Sequence, residues 1–351
     1  MNKKMKTKLL PLGAALALAL TTVPGQAADF TMKVAHVAAT TQPLYTCVEV
    51  LKAHVERFSG GRIAVEHYPA GQLGNFRQSV EQVQLGTLEL TNTTGGGISN
   101  IFGPIQAFDI PYLFRDDRVA DKVMLDPILN ARLQKDVLKA TGNTVRLIGM
   151  SGDHGWRSFF TNVPVKKASD LKGVKVRTIE SPITMELARS LGANPTPIPW
   201  QELYTSLATG IVHGTKNSLS DIVDMSFTDF LKHGVLDRHT YIIFFWWMNE
   251  PWLQSLPDDL KRVVMDGYYA MTTTCNGLID ALMLPKFKKW AKIGGKLHIP
   301  TEAEKATFLP GQKAVADWYV KKFGPDYFEL IKEAVKRAEA EIEAENKAAL
   351  Q

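Results

Sequence analysis

The sequence has few cysteines and, beyond its N-terminal segment, no apolar run long enough to cross a membrane. Two cysteines, Cys47 and Cys275, exclude a disulfide framework as the main source of stability. They are compatible with one bridge in an oxidising compartment or with two free buried thiols. The longest later apolar run is YIIFFWWM, residues 241–248. It is too short to span a bilayer and predicts a buried strand.

Signature motifs of the common enzyme classes are also missing. The chain has no Walker-type loop and no GxGxxG, CxxC or HExxH pattern. GMSGD, residues 149–153, approaches a nucleophile elbow, but Asp153 stands where the second glycine should be. We interpret this segment as a strand end. The sequence therefore predicts no catalytic centre, no cofactor and no metal site.

The N-terminus has the three regions of a secretory signal peptide. Four lysines precede the apolar stretch LLPLGAALALAL, residues 9–20, and the small-residue segment GQAA follows. The apolar stretch is short for a membrane span, which needs roughly 20 residues. We therefore predict that residues 1–28 are cleaved, after Ala27 or Ala28, and that the mature protein is periplasmic and does not span the membrane.

Excess charge of one sign is absent from the predicted mature chain. The full sequence has 41 basic and 36 acidic residues, and the leader takes four of the basic ones. The remaining chain is nearly neutral. This balance gives no reason to expect nucleic acid or an anionic membrane as a partner.

What the sequence does contain is an alternation of strands and helices. MKVAHV (32–37) and RIAVEHY (62–68) predict strands, separated by a helix over 44–58 with helical apolar spacing. A helix from Phe76 to Gly86 and the strand LELTNTT follow. This order is typical of an α/β domain with a largely parallel sheet, whose ligands bind beyond the strand ends.

A second α/β unit begins near Gly155. It contains the strand RSFFTN, a helix opened by Ser169, the strand VKVRT, a helix over Pro182–Ser190 and NPTPIPW (194–200) as a proline-stiffened loop. The predicted mature chain of about 320 residues exceeds the roughly 250 at which one core stops growing. Because no linker separates the units, we predict two lobes joined by crossing strands.

Arg177 ends the strand VKVRT just before a predicted helix start. Ser181 and Pro182 favour a helix N-terminus, since serine caps free amides and proline fits the first turn. Arginine beside these amides and the positive end of a helix is a favourable place for an anion. The segment therefore indicates an anion site.

Several segments together resemble the solute-binding proteins of TRAP (tripartite ATP-independent periplasmic) transporters, the DctP-like family. They cover nearly the whole mature chain in the family's order: GRIAVEHYPAGQLGNFRQSVEQVQLGTLEL, FDIPYLFRD, GWRSFFTN, DLKGVKVRT, LGANPTPIPWQELYTSL, GIVHGTKNS and MNEPWLQSLPDDL. The resemblance implies a two-lobed periplasmic-binding-protein (Venus-flytrap) fold of α/β class. It also implies crossing hinge strands and a long helix that braces both lobes.

The predicted lobes each combine two chain segments. Lobe I comprises residues 29–154 and 243–282, and lobe II comprises residues 155–242 and 283–351 with the C-terminal helices. The resemblance further implies that a ligand is clamped between the lobes and that the closed form is recognised by TRAP membrane permease subunits. An ion gradient rather than ATP would then supply the energy.

The resemblance assigns roles to particular residues. Arg177 matches the arginine that forms a salt bridge with the ligand's carboxylate, and Arg157 matches a second cleft arginine. Asn217 matches an asparagine that hydrogen-bonds the same acid group, and Trp200 falls where the family has an aromatic side chain against the ligand. An arginine suits this role because its planar fork can hold both carboxylate oxygens.

One of these motifs departs from the family pattern. The asparagine segment usually reads like DGQEN, whereas this chain has HGTKN, with His213, Thr215 and Lys216 in place of the usual residues. Asn217 is otherwise open to interpretation as a turn residue.

Further ligand-binding candidates lie near predicted strand ends. A histidine there is either a ligand contact or a satisfied structural side chain, and the glycine-rich TGGGISN segment either exposes backbone amides to a ligand or forms a flexible turn. The candidates are His36, Thr40, Thr41, Gly97, His154, Trp156, Glu180 and His239. Trp246 and Trp247 are expected to pack in the core.

We therefore predict an exported receptor for a small organic anion, a carboxylate or a sulfonate. The tryptophans favour an apolar or aromatic tail, while dicarboxylates, keto acids, sulfonates and ectoine-like zwitterions stay open. Glu180 would favour a ligand with a hydroxyl or a positive group. The alternatives are a periplasmic enzyme that uses Ser151 or Asp153 with a histidine, and the receptor of an ATP-driven importer.

Overall fold

The computed structural model describes residues 27–152 and 154–350 of the 351-residue chain. Most of the predicted signal peptide and Asp153 lie outside these residues. The strands are β1 (Phe30–Ala35), β2 (Ile63–Tyr68), β3 (Leu90–Thr93), β4 (Val145–Ser151), β5 (Trp156–Thr161), β6 (Lys175–Thr178), β7 (Asn194–Pro197), β8 (Gly214–Asn217), β9 (His233–Tyr241), β10 (Phe244–Asn249) and β11 (Lys296–His298).

Thirteen α-helices occur in the part of the chain that the structure describes. They are α1 (Pro43–Phe58), α2 (Phe76–Leu85), α3 (Gly95–Ile98), α4 (Asp117–Met124), α5 (Pro127–Ala140), α6 (Pro182–Ser190), α7 (Leu203–Ala208), α8 (Leu219–Asp224), α9 (Glu250–Ser255), α10 (Asp258–Lys292), α11 (Glu302–Ala306), α12 (Leu309–Phe323) and α13 (Asp326–Ala349).

The strands form two mixed sheets, one in each lobe. The first sheet has the order β2-β1-β3-β10-β4, and the second has the order β11-β9-β5-β8-β6-β7. In the first sheet β1 runs parallel to β2 and β3, while β10 is antiparallel to β3 and β4. In the second sheet β5 is antiparallel to β8 and β9. The predicted α/β class with two lobes is confirmed.

The chain crosses between the sheets at two adjacent places. Residues 152–155 connect β4 to β5, and Ile242 with Ile243 connects β9 to β10. The amide of Ile242 donates a hydrogen bond to the carbonyl of Gly155 at 2.8 Å, so the two crossing segments are tied together. YIIFFWWM is therefore divided at the hinge and is not the single strand that the sequence predicted.

The 35-residue helix α10 braces the two lobes. It packs against α1 beside the first sheet and against α8 beside the second sheet. A disulfide between Cys47 of α1 and Cys275 of α10 links it covalently to the first lobe. Of the two states that the sequence left open for the cysteines, the structure has the bridge.

The C-terminal helix α13 packs against α4 and α5, which flank the first sheet, whereas α12 packs against α6 of the second lobe. The sheets divide close to the predicted lobe boundaries at residues 154 and 243. The exact assignment of segments to lobes stays a prediction, and α13 returns to the side of lobe I.

Two local expectations were wrong. Residues 194–197 form the edge strand β7 and not a loop, because an edge strand tolerates prolines whose missing N–H groups face away from the ladder. Ser169 does not open an α-helix, since residues 168–171 form a single 3-10 turn that the glycine at 173, with φ of 77°, ends.

The start of α6 at Pro182 agrees with the prediction, but its cap does not. The Ser181 side chain makes no capping hydrogen bond. Gln106 of the first lobe takes that role: its side-chain oxygen accepts hydrogen bonds from the amide of Ile183 at 3.2 Å and from the Ser181 hydroxyl at 3.4 Å. The helix N-terminus is thus satisfied across the lobe boundary.

Candidate functional site

Two arginines from the second sheet line a cleft between the lobes. Arg157 lies on β5 and Arg177 near the end of β6, and their exposed fractions are only 4% and 2%. Arg177 Nε donates a hydrogen bond to the carbonyl of Ile198 at 2.9 Å, which fixes the side chain. Its guanidinium carbon lies 5.6 Å from the centre of the Trp200 ring, within cation–π range.

Burial and charge repulsion both act on Arg177. Burial, and to a smaller extent the neighbouring charge of Arg157, lower the pKa of Arg177 to about 9, while Asp221 and Glu180 act in the opposite direction. The side chain is therefore still cationic at neutral pH. A bound anion would relieve the cost of holding two buried cations together.

Arg157 is also incompletely satisfied. Its Nη1 donates a hydrogen bond to the backbone carbonyl of Lys216 at 3.3 Å, but its Nε is buried without a partner within residues 27–152 and 154–350. Burial lowers the pKa of Arg157, and the carboxylates of Asp109 and Asp221 raise it. An unpaired buried donor on a cation indicates that a further acceptor is accommodated nearby.

Asn217, at the end of β8, lines the cleft, but both the nitrogen and the oxygen of its side-chain amide form hydrogen bonds within the protein. Its Nδ2 donates to Asp221 Oδ2 at 3.0 Å, and its Oδ1 accepts from the Thr215 hydroxyl at 2.9 Å. The other oxygen of Asp221 accepts from Gln42 Nε2 at 3.3 Å and lies 3.3 Å from His154 Nδ1. Asn217 therefore orients a cleft carboxylate.

We call the cavity that these side chains line the inner cleft. Apart from the residues described above, it has apolar walls and two neutral polar side chains. Its polar side chains from the first sheet are Asn92 of β3 and Thr94 just beyond it. The apolar walls are Val37, Ala38, Leu44, Phe76, Ile179, Trp200, Ile242 and Phe244.

An outer cleft continues from the inner one and shares Arg177, Phe76 and Trp200 with it. Gly97 and Glu180 line this outer part. The glycine-rich segment is not the flexible turn that was one of the two alternatives, since it forms the short helix α3. Contact of its backbone amides with a ligand, the other alternative, stays a prediction. A Cβ at Gly97 would lie 2.5 Å from the Thr93 Cβ, so the close packing of α3 on β3 requires glycine there.

A layer of buried charge lies beneath the two arginines. Lys216 is buried, and burial followed by the charge of Arg157 lowers its pKa to about 7, while Asp109 acts in the opposite direction. Burial raises the pKa of Asp109 and lowers that of His239. The lysine found where the family motif has glutamate thus lies below the cleft floor.

Five predicted site residues lie elsewhere. Thr40 and Thr41 are exposed. His36 is buried against His67, with their Nε2 atoms 2.7 Å apart, and burial lowers its pKa to about 3. His239 is buried outside both parts of the cleft, with its Nδ1 2.9 Å from Asp237 Oδ2 and its ring packed on a phenylalanine. Trp156 faces a separate cavity behind the hinge.

The sequence also predicted that two tryptophans pack in the core, and it left open an enzyme with a serine nucleophile. Trp246 and Trp247 are fully buried, as expected. Ser151, proposed as a nucleophile in the enzyme alternative, is buried and accepts a hydrogen bond from the Trp246 indole at 3.0 Å. No cluster of three or more potential metal ligands occurs among the described residues.

Sequence reasoning missed several residues of the inner cleft. Asn92 and Thr94 end the strand LELTNTT, and strand ends were the one general signal that pointed to them. Asp221 and Gln42 lie near helix N-termini and have no motif around them. His154, one of the further ligand-binding candidates from the sequence, lines the inner cleft.

Two α/β lobes, two crossing segments and a cationic cleft between them define a two-lobed binding protein. The family model of the bacterial extracellular solute-binding proteins, family 7, matches residues 34–323, and the chain belongs to this family. It is a solute-binding protein and not an enzyme. No helix within the described residues is long and apolar enough to span a bilayer.

Known relatives agree with this placement. The C4-dicarboxylate-binding periplasmic protein DctP of Rhodobacter capsulatus is 27% identical over 91% of this chain and 95% of its own length. A TRAP periplasmic solute-binding protein from Polaromonas sp. JS666, solved with D-erythronate, is 27% identical, with a TM-score of 0.77 over 86% of this chain and 98% of that one.

The fold is also similar to that of more distant structures. A TRAP periplasmic solute-binding protein from Anaerococcus prevotii, solved with bound glucuronate, gives a TM-score of 0.83 at 21% identity. The match covers 89% of this chain and 99% of that one.

Proposed function

We propose that this protein is the periplasmic receptor of a TRAP transporter and binds a small organic anion, a carboxylate or sulfonate, between its lobes. The observation that carries the proposal is the pair of buried, cationic side chains of Arg157 and Arg177 in the cleft. Two buried positive charges are costly to maintain unless an anion neutralises them.

The geometry of Arg177 suits a bidentate acid group. Its Nε donates a hydrogen bond to the Ile198 carbonyl, and its guanidinium lies over the ring of Trp200. The guanidinium therefore has a defined orientation before any ligand binds. Preorganised arginine forks bind carboxylates with two parallel hydrogen bonds. In this proposal Arg157 supplies the second positive charge, and Asn217 acts indirectly by orienting Asp221.

In this proposal the ligand acts on the transporter by favouring closure of the two lobes. The apolar walls come from both lobes, with Phe76 and Leu44 on one side and Ile179 and Trp200 on the other. A ligand that contacts both sets binds the closed form better than the open form, and only this difference in affinity can shift the equilibrium. The permease subunits would recognise the closed form.

Relatives with stated ligands support the ligand class. The R. capsulatus relative is named for C4-dicarboxylates, and the Polaromonas protein was solved with D-erythronate. The N-terminal lysines and apolar stretch support export to the periplasm, with cleavage after Ala27 or Ala28.

A thermal-shift screen of organic acids tests this proposal. A ligand present at a hundred times its dissociation constant adds about 2.7 kcal/mol to the free energy of unfolding. We expect a subset of carboxylates or sulfonates to raise the unfolding midpoint and their neutral amides or esters to leave it unchanged. A midpoint that no organic acid raises would contradict the proposal.

A further inference from the structure

The first lobe contributes no lysine or arginine to the inner cleft among its described residues. Among the described residues that line the inner cleft, both unambiguous cations, Arg157 and Arg177, come from the second sheet. The first lobe supplies Gln42, Asn92, Thr94 and, at the crossing segment, His154 as polar side chains. The carboxylate of Asp221 also lines this cavity. The distribution of charge along the cleft is therefore one-sided.

The side-chain amide of Asn92, which lines the inner cleft, has no hydrogen-bond partner among the described residues. Its side chain is 1% exposed, and neither its Nδ2 nor its Oδ1 has a hydrogen-bond partner within residues 27–152 and 154–350. A buried amide that lacks both partners costs free energy, and native proteins seldom retain one without a reason. The hydroxyl of Thr94, two residues further along, is buried without a partner in the same part of the chain.

The two side chains offer a donor and acceptors together. An amide has two N–H donors and a carbonyl acceptor, and a hydroxyl can both donate and accept. The group that satisfies them must itself donate and accept. A hydroxyl or a carboxamide does both, whereas a carboxylate only accepts and would leave Asn92 Oδ1 unpaired.

A second carboxylate is further disfavoured by charge. Arg157 and Arg177 are the lysine or arginine side chains among the described lining residues of the inner cleft, and in the proposed function one acid group occupies both, so a second carboxylate would be desolvated without a cation of its own. Asp221 adds a negative charge to the same cavity, and its two oxygens are held by Asn217 and Gln42. Like charges in an enclosed cavity repel strongly.

We propose that the ligand is a monocarboxylate that carries a neutral hydroxyl or carboxamide group, with the acid held by Arg177 and Arg157 and the neutral group held by Asn92 and Thr94. This inference rests on the proposed function and narrows its ligand class. It separates this chain from the relative named for C4-dicarboxylates. The residues that make the distinction lie on β3 and just beyond its end, and not on the arginine strands.

Matched ligands of one shape test the proposal. Succinate, its monoamide succinamate, the hydroxy acid 4-hydroxybutanoate and the apolar analogue 4-methylpentanoate differ mainly in the group that would face Asn92, and glutarate with its monoamide extends the set by one carbon. Affinities are measured by calorimetry at neutral pH. We expect a monoamide or the hydroxy acid to bind about tenfold or more tightly than both the matching dicarboxylate and the apolar analogue.

The variant Asn92→Leu removes the amide while keeping a similar shape. We expect it to abolish the preference for the monoamide over 4-methylpentanoate without lowering the unfolding midpoint, because no hydrogen bond is lost in the unliganded protein. Asn162→Leu is the matched control, since Asn162 is exposed and outside the cleft, and it should keep the preference.

The outcomes separate this inference from the proposed function. If dicarboxylates bind as tightly as their monoamides, or if Asn92→Leu keeps the preference for the monoamide, the ligand class proposed here is wrong while an Arg177-dependent acid receptor stands. If no member of the set binds, the inference fails, and the wider acid screen then decides the proposed function independently.

Discussion

At the scale of single residues, Arg177 carries the largest part of the account. Three features locate it: a strand end, a hydrogen bond to the Ile198 carbonyl and a ring contact with Trp200. Lysine could supply the charge but not the planar fork, and its terminal ammonium is a strongly hydrated point charge. Arginine also stays protonated here in spite of burial, which lowers its pKa to about 9.

The substitution Arg177→Lys is therefore expected to remove most of the ligand-induced rise in unfolding midpoint. The unliganded protein should stay folded, because the position keeps its charge and most of its volume. Thermal unfolding with and without the best acid from the screen measures the effect. Arg189→Lys, on the exposed face of α6, is the control and should behave as wild type. An undiminished shift in Arg177→Lys would contradict the assigned role.

Lys216 is the residue at which this chain departs most clearly from the family motif. In the folded protein its pKa is about 7, against 10.5 for an unburied lysine, because of burial and the neighbouring arginines. Between these two pH values the unfolded chain binds more protons than the folded one. The free energy of unfolding therefore gains a contribution that increases as pH rises through this window.

The variant Lys216→Met should lack that contribution. We expect the free energy of unfolding of wild type minus that of the variant to increase with pH between about 7 and 10.5, by at most about 1.4 kcal/mol per pH unit. Urea denaturation at several pH values measures it. Lys175→Met, at an exposed position on β6, should show no such trend. A pH-independent difference for Lys216→Met would show that the lysine is not perturbed.

The site could be predicted where a motif carried it. The segments GWRSFFTN, VKVRT, HGTKN and NPTPIPW led to Arg157, Arg177, Asn217 and Trp200, and all four line the inner cleft. Asn92 and Asp221 were missed because their positions depend on how two lobes meet, which no local pattern encodes. The expected hydrogen bond between Asn217 and the ligand's acid group stays a prediction, and in the structure the Asn217 amide donates to the carboxylate of Asp221.

At the scale of elements, periodicity predicted the helices and strands of the sheets well. The helix over 44–58 and the helix over 182–190 agree with α1 and α6 to within a residue. The errors fall where tertiary context decides. Prolines at 195 and 197 suit an edge strand only because β6 is available as a neighbour, and the apolar run 241–248 divides because its middle residues cross the hinge.

The disulfide between α1 and α10 joins two elements that are far apart in sequence. Cys47 and Cys275 are separated by 228 residues, and both are buried. Closing so long a loop removes many conformations from the unfolded chain, which stabilises the folded one. The bridge also fixes the middle of the bracing helix to α1 of the first lobe, so it contributes to the rigidity of that lobe.

A double variant, Cys47→Ser with Cys275→Ser, is expected to lose roughly 2–4 kcal/mol of unfolding free energy. Urea denaturation measures the loss. Reductant should destabilise the wild type toward the value of the variant and leave the variant unchanged. Equal midpoints for the oxidised wild type and the variant would contradict the contribution assigned to the bridge.

At the scale of the whole molecule, the structure has the lobes in contact across the cleft. Gln106 of the first lobe caps α6 of the second, and Gln201 Nε2 donates to the carbonyl of Gly74 at 3.2 Å. A Cβ at Gly96 would lie 2.7 Å from Ile179 Cδ1, so glycine there permits the lobes to approach closely. These contacts join the lobes beside the cleft, and a ligand that touches both lobes would add to them and favour the closed state.

The central claim is that an organic acid is bound between the lobes by Arg177 and Arg157. A crystal structure with the best acid from the screen tests it most directly. The account predicts the acid oxygens within hydrogen-bond distance of both guanidinium groups, enclosed by Phe76 and Trp200. An acid bound outside this cleft, or bound inside it with its charged group away from both arginines, would contradict the claim.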